Sequence, residues 1–295
     1  ASRPLRHTRA TVRAPRIQQA SRRTPVGARG RVLQVWAAGC VAASCGVSRA
    51  MIAQPPSALW AMGALPLARA IRGKQVSCVE VMTAFLDRIE QVNPHINAIV
   101  ALQPRDHLLA QAREKDKALS AGHYEGWLHG LPFAVKDLEA VKGLPWSQGS
   151  LALKDVVATE DGPMVANLRA AGCIFIGKTN APEFGLGSHT YNQVYGVTHN
   201  PYDLNRSAGG SSGGAAAAIS TRMVPLADGS DMGGSLRNPA AWNNIYGLRP
   251  TFGRVVGSGA SFTTDMAVQG SLARSVARLL YTSAAAYDLL SLHHG

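Results

Sequence analysis

Two glycine- and serine-rich segments in the second half of the chain have the composition of a catalytic loop. Residues 209–214 have the sequence Gly-Gly-Ser-Ser-Gly-Gly, and residues 231–237 have the sequence Asp-Met-Gly-Gly-Ser-Leu-Arg. Glycines beside a serine leave its hydroxyl open to a substrate, and they let the backbone turn several N–H groups toward one point. The second segment could in this way present a set of N–H groups to the oxyanion of an acyl-transfer reaction. These groups belong to Met232, Gly233, Gly234 and Ser235.

The first segment, taken alone, would also suit a phosphate-binding loop or a flexible linker. Residues 215–220 can form a helix whose first N–H groups face the loop, as they do in phosphate sites. However, the loop lacks the Gly-Lys-Ser/Thr ending of a P-loop, and no acidic residue is placed to hold Mg²⁺. Two such segments joined by an apolar stretch are hard to explain as linkers, so a serine nucleophile is the better interpretation.

A serine nucleophile needs a general base, and the sequence offers two kinds. Histidine is the usual base, but His189, His199 and the earlier histidines lie in no motif connected to either segment. Lys136 is the alternative, because it lies at the end of an apolar segment that predicts a buried strand.

The elements that must position these residues alternate along the chain. Helices are predicted from a capping box at Ser77 and Glu80 to the pair Asn93-Pro94, over residues 105–120 and over residues 163–171. Short apolar strands are predicted over residues 96–102, 131–137 and 173–177. This alternation predicts an α/β domain with a largely buried sheet.

Composition and charge exclude several classes of protein. The chain has 295 residues, of which 46% are hydrophobic and 16% charged, so it is neither fibrous nor intrinsically disordered as a whole. The net charge of +12 suggests nucleic acid, but ten of the 30 Lys and Arg lie in residues 1–50, which contain no acidic residue. The other 20 face all 18 Asp and Glu, so we expect no nucleic-acid binding by the rest of the chain.

Residues 1–50 have three interpretations: a disordered or non-native extension, a targeting signal, or a nucleic-acid-binding arm. Residues 32–48 are uncharged but shorter than the roughly 20 residues of a membrane span, although they would suit a signal peptide. Met51 opens a segment that resembles an ordinary protein start. We expect no stable membrane span and a cytoplasmic location, or export if residues 1–50 are a genuine signal.

The four cysteines follow no metal-binding spacing and are too few for a disulfide scaffold. They lie at positions 40, 45, 78 and 173. Buried free thiols in a reducing compartment are the expected state.

Several segments, in the right order, resemble the amidase signature family of hydrolases, and the resemblance covers about residues 55–274. They are the strand that ends at Lys136, Gly-Lys-Thr-Asn at 177–180, Asn-Pro-Tyr-Asp at 200–203, and the run from Asp228 through Gly247 to Arg254. The resemblance implies the amidase signature fold, an α/β fold in which a central mixed β-sheet is flanked by α-helices.

The resemblance also implies a role for each residue of a Ser-Ser-Lys triad. Ser235 would be the acylated nucleophile, and Ser211 would connect it to Lys136, with a cis peptide bond between Gly210 and Ser211. Lys136 would be the base, which requires a neutral amine near pH 7, and burial can lower the pKa of a lysine by several units. An ion pair with the neighbouring Asp137 would instead make Lys136 a structural residue.

Three further residues would support this triad, according to the resemblance. Ser212 and Asp231 would position the two loops, and Arg237 would anchor the nucleophile turn; a plain surface position is the alternative for Arg237. The expected partner is a small-molecule amide substrate, and the chain can be expected to form a homodimer. The chemistry requires no metal, nucleotide or organic cofactor.

Family members normally continue well past residue 295, and residues 279–295 do not resemble the family. We therefore expect an Arg-rich extension at 1–50, an incomplete amidase domain at 51–278 and an atypical tail at 279–295, in a poorly stable or inactive chain. The leading function is an amidohydrolase that cleaves linear or cyclic amides. The alternatives are the glutamine-hydrolysing subunit of a tRNA-dependent amidotransferase and a non-catalytic protein with a basic binding tail.

Overall fold

The computed structural model describes residues 58–255 and 266–276. The expectations for residues 1–50 and 279–295, which include Cys40 and Cys45, and the expected start at Met51 lie outside the described residues.

Three helices open the described part of the chain: α1 (Ala64–Arg72), α2 (Cys78–Ile96) and α3 (Arg105–Ser120). Helix α2 begins at the predicted capping box, because the Ser77 hydroxyl accepts the N–H of Glu80 at 3.0 Å and the Glu80 carboxylate accepts the N–H of Ser77 at 2.8 Å. Helix α3 has the predicted bounds.

The prediction that α2 ends at Asn93-Pro94 is wrong, because the helix continues through Pro94 to Ile96. A proline in the last turn removes only one backbone hydrogen bond. The side chain of Asn93 then fixes the exit of the chain, since its Oδ1 accepts the N–H groups of Ala98 and Ile99 at 2.9 Å each. The strand that was predicted over 96–102 is reduced to two residues, because α2 includes Ile96 and Ala101 has a left-handed φ of +48°.

The first sheet has three strands and is mixed. It contains β1 (Ile99–Val100), β2 (Pro132–Lys136) and β3 (Ile174–Thr179), in the order β1-β3-β2. Strands β2 and β3 are parallel, and helix α4 (Pro163–Ala170) lies between them in the sequence. Lys136 is the last residue of β2 and pairs with Thr179, so its side chain stands at the carboxyl edge of the sheet.

The rest of the described chain forms two short hairpins and a second sheet. The hairpins are β4 (Tyr191–Asn192) with β5 (Gly196–Val197), and β6 (His199–Asn200) with β7 (Asp203–Ser207). The second sheet is antiparallel and contains β8 (Ala227–Asp231), β9 (Tyr246–Leu248) and β10 (Val268–Ala273), in the order β8-β10-β9. Helices α5 (Gly213–Ser220) and α6 (Arg237–Trp242) follow the two glycine- and serine-rich segments.

Helix α5 lies in the core, and its small residues allow close packing. It contacts strands of both sheets, and its residues from Gly213 to Ile219 are all buried. A Cβ atom at Gly214 would lie 2.3 Å from the backbone nitrogen of Asn180, so the helix approaches β3 more closely than any other residue type would permit. This close contact fixes the amino end of α5 beside Asn180, the residue that follows β3.

None of the helices within residues 58–255 and 266–276 is long and apolar enough to span a membrane.

Candidate active site

The amine of Lys136 lies at the centre of a cluster of hydroxyl groups. The side chain is 1% exposed, and its Nζ lies 2.8 Å from the Oγ of Ser211, 2.9 Å from the Oγ of Ser212 and 2.9 Å from the Oγ of Ser230. These serines come from the turn before α5 and from β8, so three elements converge on one amine.

The ion pair between Lys136 and Asp137 that the sequence left open as an alternative is not formed. The carboxyl group of Asp137 accepts the hydroxyl of Ser147 at 2.6 Å, and its other oxygen lies 3.7 Å from the Nζ of Lys178. Successive residues at the end of a strand point to opposite faces, which directs the two side chains apart.

Burial lowers the pKa of Lys136 to about 7, because the charged amine loses its hydration. The negative charges of Asp228, Glu139 and Asp231 act in the opposite direction and stop the pKa from falling further. A large fraction of the amine is therefore neutral at neutral pH, as a general base must be.

The serine pair before α5, Ser211 and Ser212, is fixed by its own backbone geometry and by hydrogen bonds to neighbouring segments. The peptide bond between Gly210 and Ser211 is cis, as the resemblance implied. The N–H of Ser212 donates to the carbonyl of Ser235 at 3.2 Å, and the Ser212 hydroxyl donates to the carbonyl of Ser230 at 3.3 Å. Ser212 thus connects the first glycine- and serine-rich segment to the second.

The turn that carries Ser235 is organised around the buried carboxylate of Asp231. It accepts the N–H groups of Gly234 at 2.8 Å and Leu236 at 3.1 Å, and the Arg237 guanidinium at 2.9 and 3.0 Å. Burial alone would raise the pKa of Asp231, but these hydrogen bonds lower it to about 2. Arg237 therefore contacts the nucleophile turn and is no plain surface residue.

The hydrogen bond to Asp231 revises the expected set of oxyanion donors. The N–H of Gly234 points to the carboxylate inside the turn, so this group is already engaged. Within the described part of the chain, the N–H groups of Met232, Gly233 and Ser235 make no hydrogen bond. These three are available to a ligand.

The structure brings Lys136 and Ser211 together, but it does not close the contact between Ser211 and Ser235. Among the described residues, the hydroxyl of Ser235 has no hydrogen-bond partner. Hydrogen bonds of this kind often tighten only when substrate binds.

Sequence reasoning missed two residues of the site, Asp228 and Ser230. Both lie on β8 and, being two positions apart, they share the face that meets Lys136. Asp228 accepts the backbone N–H of Lys136 at 3.0 Å, while Ser230 contacts the amine. The alternation of a strand at the start of the signature-like run could have placed both on one face, but only the position of β8 beside β2 shows that this face meets Lys136.

The histidines that were weighed as bases direct their rings away from the site, although the backbone of His189 packs against Gly210. The ring of His189 is 5.6 Å from the ring of Trp242, and the Nδ1 of His199 is 2.6 Å from the carbonyl of Leu204. No described histidine forms a hydrogen bond with the three serines of the site. No group of three potential metal ligands occurs within the described segments.

Both cysteines in the described part of the chain, Cys78 and Cys173, are free and buried, as predicted. Burial raises the pKa of each thiol, which makes both unreactive toward ordinary electrophiles.

Comparison with known proteins finds amidases and related enzymes. A family model described as Amidase matches residues 80–289. The glutamyl-tRNA(Gln) amidotransferase subunit of Azoarcus sp. (strain BH72) is 42% identical over 225 residues, which are 75% of this chain and 46% of that protein. Indoleacetamide hydrolase of Bradyrhizobium diazoefficiens (strain JCM 10833 / BCRC 13528 / IAM 13628 / NBRC 14792 / USDA 110) is 41% identical over 76% of this chain and 44% of its own length.

The structural comparison agrees. A bacterial aryl acylamidase of the amidase signature enzymes superposes with a TM-score of 0.72 and 33% identity, over 77% of this chain and 47% of that one. The chain spans less than half the length of the curated relatives reported above.

Proposed function

The chain belongs to the amidase signature family, and from that premise we propose that it derives from a serine amidohydrolase with Lys136, Ser211 and Ser235 as its triad. The observation that carries the proposal is the buried amine of Lys136, which contacts Ser211 at 2.8 Å and has a pKa of about 7. A neutral amine beside a serine hydroxyl, with a second serine in the adjoining turn, is the arrangement that a proton relay requires.

The reaction begins with the relay. Neutral Lys136 takes the proton of Ser211, and Ser211 takes the proton of Ser235 as the Oγ of Ser235 attacks the amide carbonyl carbon. The C–O bond forms, the carbonyl π electrons move to oxygen, and the resulting oxyanion accepts hydrogen bonds from the N–H groups of Met232, Gly233 and Ser235. The ammonium of Lys136 now holds the transferred proton.

Collapse of this intermediate breaks the C–N bond. The proton returns from Lys136 through Ser211 to the leaving nitrogen, and the amine departs, which leaves an ester between the acyl group and Ser235. A water molecule, deprotonated by the same relay, hydrolyses the ester to a carboxylic acid and restores the serine. Loss of one good oxyanion donor costs on the order of 10²–10³ in rate, so this turn should tolerate backbone changes poorly.

Labelling of the full chain with a fluorophosphonate tests this proposal. The reagent reacts with activated serines, and we expect mass spectrometry of the digest to place the label on Ser235. Ser235→Ala should abolish labelling and amide turnover, Lys136→Ala should lower both by several orders of magnitude, and the control Ser220→Ala, at the far end of α5, should change neither. A label on another residue, or near-normal rates in Lys136→Ala, would overturn the triad.

The similarity to an amidotransferase subunit supports a second candidate function, the hydrolysis of glutamine within a complex. At 42% identity to that protein and 41% to an indoleacetamide hydrolase, sequence identity alone does not separate the two substrate classes. A free-standing hydrolase should cleave aryl or indole carboxamides unaided. Release of ammonia from glutamine, only in the presence of partner subunits, would favour the amidotransferase instead.

A further inference from the structure

Asp228 joins the two main sheets at the position of the base. Strands β2 and β8 belong to different sheets but lie side by side. The Oδ1 of Asp228, on β8, accepts the backbone N–H of Lys136, on β2, at 3.0 Å. The carboxyl group thus takes the place that a neighbouring strand's carbonyl would occupy along β2.

The environment of this carboxyl group is unusual for an acid. Asp228 is 2% exposed, and its second oxygen, Oδ2, is buried without a hydrogen-bond partner in the part of the chain that the structure describes. An ionised carboxylate that lacks half of its hydrogen bonds is strongly disfavoured away from water. Burial accordingly raises the pKa of Asp228 to about 7, although the backbone N–H of Lys136 acts to lower it.

We propose that the carboxyl group of Asp228 controls the ionisation of Lys136 and is a positioning residue for the base. The carboxyl group accepts the backbone N–H of Lys136, whereas the amine of the same lysine faces the serines. The proposal rests on the proposed function only for its kinetic consequence, because the charge of the lysine can be measured without turnover.

The direction in which Asp228 shifts the pKa of Lys136 follows from the charged groups on the elements that pack around Asp228. The amines of Lys136 on β2 and Lys178 on β3 and the carboxyl group of Glu139, which follows β2, act on Asp228. Asp231, at the end of β8, acts on Lys136. Helix α5 and strand β10 also pack against β8, and they carry no titratable side chain. When it is ionised, the carboxylate of Asp228 stabilises the ammonium form of Lys136, so its removal should leave more of the amine neutral at a given pH.

An NMR titration of the full chain, labelled with ¹³Cε-lysine, tests this directly. The signal of Lys136 is identified by its absence in Lys136→Met. In Asp228→Asn, which keeps an oxygen acceptor for the N–H of Lys136, we expect the titration midpoint of that lysine to fall by at least about 0.5 pH unit. The acid limb of the kcat/KM profile for an aryl carboxamide should move to lower pH by a similar amount.

The chain contains a matched control for this substitution. Asp161 also accepts the backbone N–H of a lysine, Lys142, at 2.8 Å, but it lies away from the serine cluster and pairs with Arg169. Asp161→Asn should leave the midpoint of Lys136 unchanged. If Asp228→Asn does not fold, Asp228→Thr provides a second uncharged acceptor with a good strand former.

The outcomes separate this proposal from the proposed function. A midpoint that stays the same or rises in the folded Asp228 variants overturns the role of Asp228, and a lower melting temperature alone would then show a purely structural residue. A lowered midpoint supports the role of Asp228 even if the wild-type chain cleaves no amide, in which case the proposed hydrolase activity fails by itself.

Discussion

When the chain folds, the amine of Lys136 loses its hydrating water and gains three serine hydroxyls, which do not fully replace the lost hydration. The hydroxyls accept hydrogen bonds from the amine, but they carry no negative charge to balance an ammonium group. The site therefore holds an amine whose charged form is destabilised by its surroundings. A destabilised residue of this kind is expected at a functional site, where reactivity takes precedence over stability.

This instability should be measurable as a dependence of folding on pH. The pKa of Lys136 is about 7 in the folded chain, against an ordinary value of 10.5. Between these values the unfolded chain binds more protons, so the contribution of Lys136 to stability rises with pH. Lys136→Met should be most stabilising, relative to the wild type, at pH 7 and below, and the difference should shrink by a few kcal/mol toward pH 10.

Urea unfolding at pH 7, 8, 9 and 10 measures this difference. Titrating groups that do not interact with Lys136 are common to both proteins and cancel. Lys142→Met, at an exposed lysine, is the control and should differ from the wild type by a constant amount. A constant difference for Lys136→Met as well would mean that its amine is ionised in the folded chain, and the proton relay would lose its base.

Asp231 is buried like Lys136, but its surroundings stabilise its charged form. Its carboxylate is as inaccessible as Lys136, but two arginines, Arg237 and Arg249, and the N–H groups of the turn surround it. This keeps the pKa of Asp231 at about 2, so the charge that shapes the nucleophile turn persists through the whole working pH range. Asp231 thus stays ionised and holds the backbone of the nucleophile turn. The pKa of Asp228, three residues earlier, is about 7, close to that of Lys136.

At the scale of elements, helix α5 connects the triad to the core. Its first residues, Gly213 and Gly214, follow the serine pair directly, and a side chain at either would collide with its neighbours. The position of Ser211 against Lys136 thus depends on how closely a helix of glycine and alanine can approach β3.

Gly214→Ala tests this dependence. Its Cβ would lie 2.3 Å from the backbone nitrogen and 2.6 Å from the oxygen of Asn180, and backbone atoms cannot move aside as a flexible side chain can. We expect a loss of about 1–3 kcal/mol in the free energy of unfolding, together with weaker fluorophosphonate labelling. Gly233→Ala is the matched control for stability, since no atom lies within 4 Å of its Cβ position. Equal stability of the two variants would show that α5 is free to shift.

The elements also show where reasoning from sequence succeeds. Helix α3 and the capping box of α2 depend on local periodicity and local hydrogen bonds, and both were predicted where the structure has them. The end of α2 depends on Asn93, whose side chain reaches forward to residues 98 and 99, and a rule about proline alone missed it. The proposed site follows the same division: motifs pointed to Lys136, Ser211 and Ser235 as candidates, whereas Asp228 and Ser230 depend on the position of β8 beside β2.

At the scale of the whole molecule, the site and the basic charge lie in different parts of the sequence. The residues of the proposed active site lie between positions 136 and 237, in a part of the chain with nearly balanced charge, whereas a third of the Lys and Arg lie in the first 50 residues. Catalysis by a neutral lysine needs no strong positive field, so we expect the two properties to be separable.

Deletion of the first 50 residues tests that separation. Ten arginines without acidic residues should bind a double-stranded DNA probe non-specifically, and affinity should fall on the order of 10³-fold between 50 and 200 mM salt. A chain that begins at Met51 should lose this binding, because its 20 basic and 18 acidic residues nearly cancel. Fluorescence anisotropy with a labelled duplex measures both chains, and serine labelling by fluorophosphonate should be the same in both. DNA binding that survives the deletion would place a nucleic-acid surface on the amidase domain itself.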